Sequence, residues 1–304
     1  MFSIPVCAGC EKLIFNENIQ ALDRYWHPEC FRCAACGQPI VADYNARRGR
    51  IYHPECYQEK FGPVCAICKT PLLGEFSVDM WGNQYCTRHK DELPTCSTCS
   101  RLVCDVITGG GVVYHDGRQV CNICRQSAVD KPSIARSTCK QVCAVLAAHG
   151  LEIGQIPLPK LVDQAELKRS LQNNHPENTT GLTLKCITTT NGRESGRDAE
   201  IMILHGLPAD LFASTMAHEL GHAWLFLYHF PPIPPVVEEG FCELMSYLWL
   251  SEQKNPQADV RIQEIRKNTD VVYGRGYRAA LRAFKKYGFS DMTAIMRLER
   301  RFPV

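Results

Sequence analysis

The chain has 304 residues, 45% hydrophobic and 22% charged, with a formal net charge of +2; this is globular composition, enough for two or three domains, and it excludes a disordered or fibrous chain. A near-neutral chain without a Lys/Arg cluster lacks the basic surface that a nucleic-acid binder needs. Eighteen cysteines are well above ordinary usage, and fourteen of them stand at or before Cys124, so composition alone divides the chain in two.

The N-terminal MFSIPVCAGC lacks the basic-then-apolar pattern of a secretory signal. The most apolar stretch, Ala223 to Val237, is interrupted by His229 and by four prolines between Pro231 and Pro235, so no membrane span is expected. The expected location is the cytoplasm, where thiols stay reduced and metal binding outranks disulfides.

The first array consists of Cys7, Cys10, His27, Cys30, Cys33, Cys36, His53 and Cys56, four close pairs separated by two gaps of 16 residues. A C-x2-C knuckle supplies two ligands from one tight turn, the gaps are long enough for a hairpin that returns to the metal, and four pairs make two tetrahedral zinc sites. With WHPECFRCAAC across its middle, residues 1–60 resemble a LIM domain. The resemblance assigns Cys7, Cys10, His27 and Cys30 to one zinc and Cys33, Cys36, His53 and Cys56 to another.

A second array, Cys65, Cys68, Cys86 and His89, then Cys96, Cys99, Cys121 and Cys124, resembles a second LIM domain over residues 61–128 with two further zincs. It departs from the pattern in having six residues between its two sites where a LIM domain keeps two. Cys104, Cys139, Cys143, Cys186 and Cys242 are left over; Cys139 and Cys143 continue an apolar helical stripe with Val142 and Leu146, which reads as core packing.

Cysteine density collapses near Ser127 to Lys131, and helical periodicity begins. Helices are predicted at Pro132 to His149 and Pro159 to Asn173, then strands at Leu182 to Thr190 and Ala199 to His205. A long helix follows over Pro208 to about Phe230, and shorter ones near Val236 to Glu252, Ala258 to Lys267, Gly276 to Tyr287 and Asp291 to Arg301. Residues 129–304 therefore read as α+β with helices dominant.

Inside the long helix stands His218-Glu219-Leu220-Gly221-His222. At spacing i, i+4 both imidazoles leave one helix face and can share a zinc, with Glu219 beside the metal as general base. The next helix opens VVEEGFCELM, and a Glu there is the expected third ligand of a site whose fourth position stays open. Neighbouring helical residues point about 100° apart, so only one of Glu238 and Glu239 can ligate. Glu239 shares a face with Cys242, Glu243 and Ser246, and is the choice; Glu243 is then expected to accept the free ring N–H of His218 or His222. Glu238 is expected to line the cleft and meet a cationic group of the substrate. Tyr273 and Tyr277 of YGRGY are candidates for stabilising the oxyanion, Tyr273 being preferred.

HELGH followed by a helix beginning EEG resembles the Glu-ligated, zincin-type metallopeptidases. With two LIM-like modules ahead of it, and with YCTRHKDELPTCSTCSRL, ILHGLP and YGRGYRAA, the chain resembles the DA-one and DA-one-related group of LIM-containing peptidases over nearly its whole length. The resemblance implies a ubiquitin-activated zinc endopeptidase that clips regulatory proteins, with about four structural zincs and one catalytic zinc. Protein substrates, partners bound by the LIM modules and ubiquitin-pathway proteins are its implied partners, not nucleic acid or membrane. It also suggests that AEIMILH forms an edge strand on which extended substrate pairs. The competing reading is a non-catalytic LIM adaptor; Glu219 opposes it, since a purely structural zinc site has no use for a general base.

Overall fold

The computed structural model describes residues 4–155, 157–171 and 179–304. The chain divides into two compact units, Met1–Pro94 and Thr95–Val304. That boundary falls in the six-residue spacer between His89 and Cys96, inside the 61–128 module.

The first unit is built from three short antiparallel hairpins, Ile19–Ala21 with Arg24–Trp26, Asn45–Arg47 with Arg50–Tyr52 and Phe76–Val78 with Gln84–Cys86, and the helix Pro54–Phe61. Its main apolar cluster is small. Phe31, Ile40, Ile51 and Tyr52 are buried, with Trp26 edge-on to Phe31 at 5.7 Å and Phe61 edge-on to Tyr52 at 5.2 Å. So little burial leaves much of the folding free energy to the Cys/His clusters.

The second unit opens with the hairpin Gly111–Val113 and Gln119–Cys121, after which Ala128–Val129 pairs with Leu207–Pro208. Its body is a three-stranded sheet packed against helices. Arg193–Leu204 is the central strand, Pro159–Val162 runs parallel along one side of it and Gly181–Thr190 antiparallel along the other. The turn between Gly181–Thr190 and Arg193–Leu204 is Asn191-Gly192, both at positive φ (52° and 76°), the conformation a two-residue hairpin with right-handed strand twist requires. From Lys185 to Thr190 and from Arg193 to Gly196 this hairpin is exposed.

Two sequence expectations are corrected here. Pro159–Val162 is a strand, and the helix begins only at Gln164, where Asp163 caps it by accepting from the Glu166 N–H at 2.7 Å; Asn173 lies outside the described residues. Pairing with a strand some forty residues away overrides the local helical pattern. AEIMILH is not at an edge either: Ile201, Met202, Ile203 and Leu204 are all buried in the central strand, as a continuous apolar run demands of a strand covered on both faces.

The longer helices among the described residues are Pro132–Ala148, Ala209–Leu227, Pro235–Ser251, Pro256–Lys267 and Tyr273–Glu299, the last broken at Gly288 (φ 74°), where the sequence predicts two separate helices. Two glycine contacts set their spacing. A Cβ at Gly240 would stand 2.4 Å from the Gly276 carbonyl carbon, and one at Gly221 would stand 3.0 Å from Cys242 Sγ. The helix carrying Glu239 thus lies backbone-close to both the HELGH helix and the helix that starts at Tyr273. None of the helices among the described residues is long and apolar enough to cross a membrane.

The Cys96–Cys124 region is tied to this body by polar side chains. Arg261, 8% exposed, donates to the Thr98 carbonyl at 2.8 Å and pairs with Asp210 and Glu264, each at 3.2 Å. Asp116 accepts from Arg118 Nε at 2.9 Å and from the Gln164 N–H at 3.2 Å.

Candidate metal centres and the HELGH cleft

Local chain geometry brings the sixteen Cys and His residues of the two arrays into four clusters: Cys7, Cys10, His27, Cys30; Cys33, Cys36, His53, Cys56; Cys65, Cys68, Cys86, His89; and Cys96, Cys99, Cys121, Cys124. Within each, the donor atoms lie within 4.8 Å of one another. Four thiolates bound to one zinc at about 2.3 Å would stand about 3.8 Å apart, and Cys96–Cys124 and Cys99–Cys121 are separated by 3.9 and 3.7 Å. All eighteen cysteines are free.

The second imidazole nitrogen identifies the ligand atom in two clusters. His53 turns Nδ1 to Cys36 and donates from Nε2 to the Pro39 carbonyl at 3.1 Å; His89 turns Nδ1 to Glu92 and keeps a buried, unbonded Nε2 for the thiols. Burial opposes ionisation of Cys7, but N–H donation from the His27, Gly9 and Cys10 backbone outweighs it and holds the thiol at about 6. These are the properties of structural zinc sites.

In the second unit, His218 and His222 project from the helix Ala209–Leu227 toward the first turns of Pro235–Ser251. Glu239 Oε2 stands 3.2 Å from His218 Nε2 and 3.6 Å from His222 Nε2. Ligands about 2.0–2.2 Å from a tetrahedral zinc are about 3.3–3.6 Å apart. Glu239 Oε2 is buried without a hydrogen-bond partner, so three lone pairs converge where a cation would satisfy them.

The outer ring nitrogens are held separately: Glu243 Oε1 accepts from His218 Nδ1 at 3.3 Å, and Glu238 Oε1 from His222 Nδ1 at 3.0 Å. Two imidazoles facing three carboxylates suit a dication. Cys242 Sγ, buried against Gly221, also lies within 4.8 Å of ring nitrogens of both histidines. Glu239 Oε2 faces both Nε2 atoms, and is the better placed third donor. Burial would lower the His218 pKa, but the carboxylates of Glu239 and Glu243 outweigh it and raise it well above the ordinary value. Glu238 is pulled down to about 2 by His222, against its burial and with help from Lys185.

Glu238 thus departs from the sequence expectation. It borders the cleft, but its Oε1 is engaged by His222 and by Lys185 Nζ at 2.8 Å, so it supports the His222 imidazole and is not a free anion.

The site opens into two adjoining recesses, of about 320 and 440 Å³, that share Thr179, Gly181, His218, Glu219 and Tyr273. Glu219, 6% exposed, accepts from Thr183 Oγ1 at 2.7 Å on Oε2. Its other oxygen abuts Gly181, where a Cβ would stand 2.9 Å away. Tyr273 lines both recesses, and burial together with the Glu239 charge pushes its phenol up to about 12, so it is a proton donor at neutral pH. Tyr277 does not line them: it is 1% exposed and packs on Tyr247 at 5.4 Å. Cys139 is fully buried in the core.

Thr183 and Lys185 were not singled out from the sequence. Their only signal is position in a strand two residues apart, which puts them on one face.

A family model described as DA1-like: Protein DA1 matches residues 169–264, and a LIM domain model matches residues 7–61. Protein DA1 of Arabidopsis thaliana is 28% identical over 98% of this chain and 68% of its own length. The LIM domain-containing protein HDR3 of Oryza sativa subsp. japonica is 27% identical over 98% of this chain and 74% of its own. Protein DA1-related 1 of Arabidopsis thaliana is 27% identical over 99% and 68%. The chain thus carries a LIM domain at its N-terminal end and a DA1-like domain that contains HELGH and VVEEG, and over nearly its whole length it is similar to these DA1 and LIM domain-containing proteins.

Proposed function

We propose that this chain is a zinc-dependent endopeptidase in which His218, His222 and Glu239 hold the metal and Glu219 is the general base. The observation that carries the reading is the convergence of two Nε2 atoms and an unpartnered, buried carboxylate oxygen beside Glu219 in an open cleft. Zinc bound there supplies a Lewis acid for the scissile carbonyl and for water.

The residues divide the remaining work. Glu219, oriented by Thr183, accepts the proton of the attacking water and returns it to the leaving amine. Tyr273 donates to the developing oxyanion. Gly181–Thr190, an edge strand that borders the cleft from Gly181 to Lys185, offers backbone groups to an extended substrate. Extended polypeptide, and so protein, is the substrate class.

In this reading residues 1–60 form a LIM domain, 61–128 a LIM-like one and 129–304 the zincin-type peptidase domain, with four structural zincs and one catalytic zinc. LIM domains commonly bind other proteins; here they would recruit substrates or ubiquitin-pathway regulators. The thiolate sites suit the reducing cytoplasm. Metal analysis of wild type and Glu219→Gln tests the proposal, alongside cleavage of a denatured protein probe. Five zincs in both, with cleavage abolished only in the variant, is the expected result. Equal cleavage by the two would move the chemistry elsewhere.

A further inference from the structure

The edge strand Gly181–Thr190 does more than border the cleft. Thr183 and Lys185 leave the same face of it and reach different parts of the site: Thr183 Oγ1 holds Glu219 at 2.7 Å, and Lys185 Nζ donates to Glu238 Oε1 at 2.8 Å. That same oxygen accepts from His222 Nδ1 at 3.0 Å. The imidazole is therefore linked through one carboxylate oxygen to the strand, while its Nε2 faces Glu239.

An ion pair of a 39%-exposed lysine ordinarily contributes little to stability. Here the geometry gives it another role. Glu238 sits in the first turn of its helix with its side chain 26% exposed, and a glutamate so placed has rotamers that abandon His222 for solvent. An ammonium on the oxygen that the imidazole uses holds the carboxylate in the one orientation that serves both.

We propose that Lys185 is a positioning residue for the metal centre, clamping Glu238 so that Glu238 fixes the ring of His222. Seating of the edge strand is thereby coupled to metal affinity. The proposal rests on the zinc-site reading above. It extends that reading to a residue about fifty positions from the helix it supports, on the element that would pair with substrate.

The test uses the full chain and competition with a chromophoric zinc chelator for the most weakly held zinc. Lys185→Met, Lys185→Arg, Glu238→Gln and the Lys185→Met/Glu238→Gln double variant are compared with wild type. Loss of an outer partner of a ligating histidine typically costs about 10–100-fold in metal affinity, and a residue one step further out should cost about 3–10-fold. Lys185→Met should show that loss, Lys185→Arg should stay within about 2-fold of wild type, and the double variant should be no weaker than Glu238→Gln alone. Wild-type zinc affinity in Lys185→Met would overturn the proposal. So would independent, multiplying losses in the double variant, or a change confined to KM, which would mark Lys185 as a substrate contact. His218→Ala keeps the two readings apart. If it loses one zinc while Lys185→Met binds normally, only the Lys185 proposal fails; if it loses none, the zinc site itself is wrong.

Discussion

Glu238, Glu239 and Glu243 share a helix, and their different partners predict different failures. Glu239→Ala removes the oxygen that faces both Nε2 atoms and should lose the weakest zinc outright. Glu243→Ala and Glu238→Ala each free one imidazole Nδ1 and should weaken that zinc about 10–100-fold. Dialysis against a mild chelator followed by metal analysis separates the two classes, and a Glu239→Ala protein that keeps its zinc would transfer the third-donor role to Cys242. Tyr273→Phe should retain the metal and lower kcat on the order of 10²-fold, as loss of one oxyanion donor does. A fall in metal content in that variant would contradict its assignment as donor only.

At the level of elements, the site depends on how closely three helices approach. Gly240 and Gly276 meet backbone to backbone, which sets Glu239 on the helix Pro235–Ser251 against Tyr273 at the start of Tyr273–Glu299. Gly240→Ala should cost about 1–3 kcal/mol by overpacking, read as a lowered Tm, and should reduce activity further by displacing Tyr273; an unchanged Tm would mean the helices slide apart freely. Much of this arrangement was legible in the sequence, because metal ligands follow local spacing: two residues within a knuckle, one helical turn within HELGH, adjacent helical positions at Glu238 and Glu239. What was not legible depends on partners distant in the chain. The parallel pairing of Leu161 with Ile203 converted an expected helix into a strand. AEIMILH lies at the centre and not at an edge because a third strand, Pro159–Val162, pairs along its other side. Lys185 meets Glu238 across 53 residues, which no local pattern announces.

At the level of the molecule, the Cys96–Cys124 cluster lies in the same compact unit as the HELGH helix. Asp116 is one of the ties: its side chain is 3% exposed and that of Arg118 6%. Asp116→Ala would leave a buried guanidinium without its partner, at a cost of about 3–5 kcal/mol. Scanning calorimetry should show this as a lower transition for Thr95–Val304 with that of Met1–Pro94 unmoved; a shift confined to the N-terminal transition would contradict the division. Burial opposes the ionisation of Asp116, yet the Gln164 and Arg118 N–H groups and the Arg118 charge outweigh it and depress its pKa. A depressed folded-state pKa contributes stability above the unfolded value, about 3.9, and loses it as pH falls through the folded value. The advantage of wild type over Asp116→Asn should thus be full at neutral pH and shrink below about pH 4.

The bond from Arg261 to the Thr98 carbonyl joins residues 163 positions apart, and this bears on the order of assembly. Closing a longer loop costs more entropy, and long-range contacts form slowly. During synthesis the Cys96–Cys124 knuckle emerges well before Arg261 and can take up zinc while the helices are still being made. The same arginine borders the smaller recess beside Glu219. That wall of the cleft therefore rests on a contact that forms only after the helix Pro256–Lys267 has been made, and a Cys96–Cys124 knuckle deprived of zinc should leave it unfinished.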